Sequence, residues 1–158
     1  MNSKLISLGV AAAIALTGTS AYAVSAGEAI ARMEAAKPLK MSVEDSEGLT
    51  KYKGKTVIAG VLEYNLNTES GCPTCIQVSV DSNAMIPKKN MQGEYIEFGV
   101  PSDNPNIKAL KLDENKCFLV PMIAEIDGYY SDSYEGGQDG ANLIEILRTG
   151  KIVPTSCN

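Results

Sequence analysis

The strongest constraint on the fold is a set of segments that carry β patterns. Residues 76–81 read Ile-Gln-Val-Ser-Val-Asp, and residues 94–100 alternate apolar and polar residues in the same way. Successive side chains of a strand point to opposite faces, so a period of two predicts strands with one buried face. Residues 56–64 are rich in β-branched residues and predict a further strand before these two. We therefore expect a mainly β domain.

A short helix and two more strands follow in the sequence. Asn104 supplies an N-cap and Pro105 a proline at the first helical position, which together predict the start of a short helix. Residues 117 to about 130 predict a long fourth strand. Pro121 within it indicates an edge or a bulge, because proline cannot donate a hydrogen bond to a strand ladder. Residues 142–147 predict the fifth strand.

This order of three strands, a short helix and two strands resembles that of an OB-type barrel. Gly60, in the middle of the first strand, fits this resemblance because a strongly coiled strand needs a glycine or a bulge to bend. The resemblance is to a fold and rests on the order of elements, and another small β-barrel or a β-sandwich would produce the same order. We predict a small OB-like five-stranded barrel (β-β-β-α-β-β) across residues 51–158, preceded by an N-terminal helix.

The first residues of the chain predict export. Residues 1–23 combine a basic start, an apolar run and the small-x-small ending Ala21-Tyr22-Ala23, which is typical of a signal peptide. No later run approaches the ~20 apolar residues of a membrane-spanning helix. We therefore predict a periplasmic or secreted protein with no membrane span after signal removal.

Residues 24–50 are predicted to form a helix and a linker in front of the barrel domain. Ser25 and Glu28 form a capping box at the start of an Ala-rich helix, and Pro38 marks its end. Residues 37–55 are predicted to be a polar connector. The chain is thus divided into a signal peptide, a helix with its linker, and one barrel domain.

Charge and composition exclude several functions. Removal of Lys4 with the signal peptide leaves 13 Lys and Arg against 19 Asp and Glu, a net charge of −6. An acidic chain without a dense basic cluster lacks the footprint for a phosphate backbone, so nucleic acid is not an expected partner. The absence of histidine removes Ser-His-Asp and Cys-His catalysis and histidine-bearing zinc sites. We predict no catalytic residue, no cofactor and no metal site.

The four cysteines, Cys72, Cys75, Cys117 and Cys157, predict two disulfides in an exported chain. Three pairings exist, and we favour Cys72–Cys75 with Cys117–Cys157, because thiols three residues apart have the highest effective concentration for each other. A thioredoxin-like CxxC pair precedes a helix whose dipole activates the first thiol, whereas a strand pattern follows Cys75. The short disulfide is therefore predicted to be structural, with a redox or regulatory disulfide as the alternative.

An acidic, Gly- and Tyr-rich segment at residues 125–140 is the predicted recognition surface. No register of it matches a calcium-binding loop, and solvated turn residues explain its composition. In an OB-type barrel, however, the loop between strands four and five belongs to the binding end. We expect cationic or polyhydroxyl ligands there. The candidate binding residues are Tyr64, Glu125, Asp127, Tyr129, Tyr130, Asp132, Tyr134, Glu135 and Asp139.

Two functions from different classes are compatible with these features. The first is an exported, disulfide-stabilised binding or interaction module of the cell envelope, whose partner is an unknown protein or a small polar ligand. The alternative is a thiol-disulfide oxidoreductase or redox sensor that uses Cys72 and Cys75. A carboxylate-dependent glycosidase would need two facing acids, and nothing in the sequence selects such a pair.

Overall fold

The computed structural model describes residues 24–44, 48–69, 71–87, 95–134 and 137–157. The predicted signal peptide lies outside the described residues. The helices of the described part are α1 (Ala26–Glu34), a 3₁₀ helix (Val80–Met85) and α2 (Pro105–Ala109). The strands are β1 (Lys40–Glu44), β2 (Leu49–Lys53), β3 (Lys55–Tyr64), β4 (Thr74–Val78), β5 (Glu97–Gly99), β6 (Cys117–Asp132), β7 (Gly140–Thr149) and β8 (Val153–Thr155).

The strands form one mixed sheet in the order β1-β2-β6-β3-β4-β5-β7. Because β6 also pairs with β7, the strands β3, β4, β5, β7 and β6 close into a ring. Neighbours in the ring are antiparallel except β5 and β7, which pair in parallel with Gly99 opposite Gly140. The expectations of a mainly β chain and of an N-terminal helix are confirmed.

The long central strand β3 is buried on both faces. Ile58 and Leu62 point into the ring, where they join the main apolar core. Val57 and Ala59 point outward and are covered by α1, whose Ala29 is fully buried against them. Complete burial of one large aliphatic side chain contributes ~1.5–3 kcal/mol, so this outer contact gives the short helix the stability that it lacks alone.

The structure explains why a glycine occupies position 60 and how a proline is tolerated at position 121. A Cβ atom on Gly60 would lie 2.6 Å from the backbone oxygen of Gln77, so β3 and β4 approach each other too closely for a side chain. Pro121 lies between the part of β6 that pairs with β8 and the part that pairs with β7. Its carbonyl accepts from the N–H of Gly150, 2.8 Å away, and its missing donor interrupts neither ladder.

The prediction of a polar connector at residues 37–55 is wrong. This segment contains β1 and β2, a hairpin that extends the sheet from β6. Tyr52 is buried and its ring meets that of Tyr129 edge to face, with the ring centroids 5.3 Å apart. One large buried side chain and the backbone pairing of Lys51 with Tyr130 hold β2 in place. The division of the chain into a linker and a barrel domain stays a prediction.

The strand predicted at residues 76–81 ends earlier than expected, because β4 stops at Val78 and a 3₁₀ helix begins at Val80. The side chain of Ser82 in this helix accepts a hydrogen bond of 3.0 Å from the N–H of Ala59 in β3. The hydroxyl group of Ser82 thus accepts from the N–H group that would otherwise pair with a longer β4. Val80, which was predicted to lie in the strand, is 72% exposed. Among the described residues, no helix has the length and apolar character needed to cross a membrane.

Candidate functional site

A cleft of about 280 Å³ lies at one end of the ring. Its walls come from four segments that are distant in sequence. They include Cys72, residues 99–101, Tyr130 and residues 138–142. The parallel pairing of β5 with β7 places Gly99 beside Gly140, and this contact joins the second and fourth of these segments.

The ring of Tyr130 forms an aromatic wall of the cleft. Tyr130 in β6 pairs with Gly140 in β7, and a Cβ atom on Gly140 would lie 2.5 Å from the phenol ring. The glycine therefore makes room for the ring to lie across the neighbouring strand. Because 40% of its surface is exposed, Tyr130 can contact a ligand directly.

Asp139 anchors the end of the loop that follows β6. One carboxylate oxygen accepts from the hydroxyl group of Tyr129 at 2.5 Å, and the other accepts from the N–H of Asp132 at 3.0 Å. The carbonyl of Asp139 also accepts from the N–H of Gly99 at 2.8 Å. These contacts fix residues 138 and 139 against β5 and β6, so this part of the cleft is preformed.

Tyr129 is a permanent hydrogen-bond donor. It is 1% exposed, and its ring also meets that of Phe98 edge to face. Burial, followed by the hydrogen bond to Asp139, raises the pKa of Tyr129 far above its ordinary value. The hydroxyl group therefore keeps its proton throughout the neutral and mildly alkaline range.

This raised pKa predicts a loss of stability above about pH 10, where tyrosines of the unfolded chain lose their protons and Tyr129 of the folded chain does not. The unfolded state then binds fewer protons, so the free energy of unfolding should fall by about 1.4 kcal/mol per pH unit for this one group. Urea unfolding between pH 9 and 11 measures the slope. Tyr129→Phe should flatten it, whereas Tyr95→Phe, at a 54% exposed position, should not. A Tyr129→Phe slope equal to that of the unaltered protein would contradict the assignment.

Other predicted binding residues lie around this cleft or in the loop beside it. Asp127 accepts from the side-chain amide of Asn142, a wall residue, at 3.1 Å. Asp132 accepts from the N–H of Tyr134 at 3.0 Å, and Tyr134 is half-exposed without lining the cleft. Glu135 lies outside the described residues.

Glu125 lies on the outer face of the sheet, under α1. Arg32 of α1 contacts Glu125 at 3.1 Å and Glu145 at 3.3 Å, and Lys55 contacts Glu125 at 3.5 Å. Glu125 and Glu145 are directly opposite each other on β6 and β7, where two like charges repel. Arg32 relieves this repulsion and attaches the helix to the sheet. The structure therefore does not bring Glu125 to the cleft.

Tyr64 belongs to a separate cleft of about 260 Å³, beside Cys117. Its ring lies 6.3 Å from that of Phe118, and only 5% of its surface is exposed. Burial raises the pKa of Tyr64, and the nearby carboxylates of Glu114 and Asp113 add to the effect. Tyr64 was predicted as a binding residue together with those of segment 125–140, and the structure separates it from Tyr130 and Asp139.

Both predicted disulfides are confirmed, as Cys72–Cys75 and Cys117–Cys157. Cys72 is partly exposed in the cleft wall, whereas Cys75 is buried in β4. The side-chain N–H of Gln138 donates to the sulfur of Cys75 at 3.1 Å. Sequence reasoning missed this contact because a single glutamine in a Gly-rich loop carries no local signal for a cysteine 63 residues away.

Neither protein-family models nor curated proteins nor solved structures provide a match to this chain. Within the described ranges, no group of three or more Cys, Asp or Glu side chains is arranged to hold a metal ion.

Proposed function

We propose that this chain is an exported, non-enzymatic binding module of the cell envelope, with an OB-like barrel whose cleft takes a small polar ligand. The order of the ring, with α2 between β5 and β6, supports the barrel because it has five strands and one helix in the expected sequence. The apolar N-terminal segment and the two disulfides support export.

The observation that carries the binding role is the position of the cleft. In OB-type barrels, ligands bind near the loops that join strands one and two and strands four and five. The corresponding connections here join β3 to β4 and β6 to β7. Both contribute to the cleft wall, through Cys72 and Gln138 respectively. This position of the cleft supports the proposed binding role.

The side chains at the cleft favour a small ligand that carries a positive charge and hydroxyl groups. Tyr130 offers an exposed aromatic face to a cation or to the apolar side of a sugar ring. The partly exposed carboxylate of Asp127 lies behind Asn142, whereas Asp139 is buried in the wall and both of its carboxylate oxygens accept hydrogen bonds. The acidic net charge of the chain adds to the attraction for a cation. An amino sugar combines these features.

A matched series of three sugars tests this proposal. Glucosamine, glucose and glucuronate share a pyranose ring and carry a positive, a neutral and a negative group. Amide NMR titrations should show shifts at Gly99, Gly140 and Asn142. We expect glucosamine to bind several-fold more tightly than glucose, since an ion pair of its ammonium group with the partly exposed Asp127 contributes up to ~1 kcal/mol. Glucuronate should bind most weakly.

Two tyrosine variants localise the binding. Tyr130→Ala should weaken glucosamine binding about fivefold, the value of one cation–π contact of ~1 kcal/mol. Tyr95→Ala removes a tyrosine that is 54% exposed and lies outside the cleft, and it should leave the affinity unchanged. Equal binding of glucosamine and glucuronate, shifts confined to other surfaces, or no shift with any sugar would overturn the proposed ligand class.

A further inference from the structure

The two sulfurs of the Cys72–Cys75 disulfide lie in different surroundings. Cys72 is partly exposed and lines the cleft, so a small thiol can approach it from solvent. Cys75 is 2% exposed within β4, opposite Gly99. A thiolate that attacks this bond therefore reaches the sulfur of Cys72, and the sulfur of Cys75 is the leaving group.

The leaving sulfur already has a hydrogen-bond donor. The side-chain amide of Gln138 donates to the sulfur of Cys75 at 3.1 Å. Gln138 is held there by its neighbour Asp139, which accepts from the backbone of Gly99 and from the side chain of Tyr129. A Cβ atom on Gly99 would lie 3.3 Å from the sulfur of Cys72 and 3.5 Å from the side-chain oxygen of Gln138. The glycine thus leaves space for the disulfide and the amide to meet.

We propose that Cys72–Cys75 is an exchangeable disulfide that accepts electrons from a dithiol reductant, with Gln138 stabilising the leaving thiolate of Cys75. A thiolate of the reductant attacks the sulfur of Cys72 and forms a mixed disulfide, while the Cys72–Cys75 bond breaks and its electron pair goes to Cys75. The second thiolate of the reductant then attacks the reductant's first sulfur, which is bonded to Cys72 in the mixed disulfide. This attack releases Cys72 as a thiolate. The reductant becomes a disulfide, and the protein gains two thiols after protonation by solvent.

A thioredoxin-like pair depends on a helix N-terminus, and here Cys75 lies in a strand. The Gln138 amide supplies the same kind of stabilisation, because a donor to the departing sulfur lowers the energy of its thiolate and a better leaving group departs faster. The Cys117–Cys157 disulfide lies beside the separate cleft that contains Tyr64, and Gln138 does not line that cleft. The second disulfide is therefore an internal reference for the effect of Gln138.

The rate at which each disulfide opens in dithiothreitol tests the proposal. The oxidised protein is incubated with the reductant, quenched with acid, alkylated and analysed by mass spectrometry for each cysteine. Gln138→Ala should slow the opening of Cys72–Cys75 about tenfold, as expected for a lost hydrogen bond to a charged sulfur. Gln138→Glu keeps the shape but replaces the donor with a negative charge, and it should slow this opening further. The opening of Cys117–Cys157 should not change in either variant.

Two readouts separate this role from a structural one. In the reduced protein, the pH dependence of alkylation should give a higher pKa for Cys75 in Gln138→Ala than in the unaltered chain. With glutathione disulfide, the Cys75→Ser variant should form an adduct at Cys72 faster than the Cys72→Ser variant forms one at Cys75. Unchanged opening in either Gln138 variant, slowing shared with Cys117–Cys157, an unshifted pKa or faster reaction at Cys75 would overturn the proposal. None of these results depends on a sugar ligand, so the binding function is tested separately.

Discussion

Replacement of Cys117 and Cys157 together by alanine should lower the free energy of unfolding by about 4 kcal/mol. The two cysteines are 40 residues apart. Breaking their bond frees a long loop in the unfolded chain, and the chain-entropy model converts a loop of this length into the stated loss. The disulfide also attaches β8, whose residues are all exposed, to the end of β6. We expect β8 to detach first in the variant.

The matched control is the double replacement of Cys72 and Cys75 by alanine. This bond spans three residues, and the same model gives a loss of about 2 kcal/mol. In each disulfide one of the two cysteines is only 2% exposed, Cys75 in the short one and Cys117 in the long one. The packing lost on replacement by alanine is therefore similar. The difference between the two variants in urea unfolding therefore reports loop length. Equal losses would contradict the chain-entropy account of the Cys117–Cys157 bond.

The ring strands were predictable because each buries a regular set of side chains. The β-branched run at residues 56–64, the alternation at residues 94–100 and the long apolar stretch from residue 117 all follow from packing against the core. The hairpin of β1 and β2 was not predictable in this way. It joins the sheet through backbone hydrogen bonds and one buried tyrosine, Tyr52, and backbone pairing leaves no trace in the sequence.

The candidate cleft was predictable only in part, because its residues meet through the register of two strands. The sequence indicated both Tyr129 and Tyr130, but not which of them is buried. The pairing of β6 with β7 shifts between Asp127 and Tyr130, where Gly128 has a φ of 58°. This irregularity sends Tyr129 into the core and Tyr130 to the cleft. Gln138 reaches Cys75 through the same arrangement, and neither residue carries a local signal of it.

Gly60→Ala should destabilise the protein by about 3 kcal/mol, the upper part of the range for an overpacked core position. The added methyl carbon would lie 2.6 Å from the backbone oxygen of Gln77 and 3.2 Å from the side chain of Ile76. The backbone oxygen of Gln77 cannot rotate away from the methyl group as the end of a flexible side chain could. The pairing of Gly60 with Val78 must therefore open, and β4 would move away from β3 at the middle of the ring.

Gly27→Ala is the matched control, since it adds the same methyl group where no described heavy atom lies within 4 Å. It lies in α1 and should raise stability by ~0.5–1 kcal/mol through helix propensity. The two variants should thus shift the urea midpoint in opposite directions. If Gly60→Ala were as stable as the unaltered protein, β3 and β4 could separate at no cost, and the close contact between them would not be what closes the ring at this point.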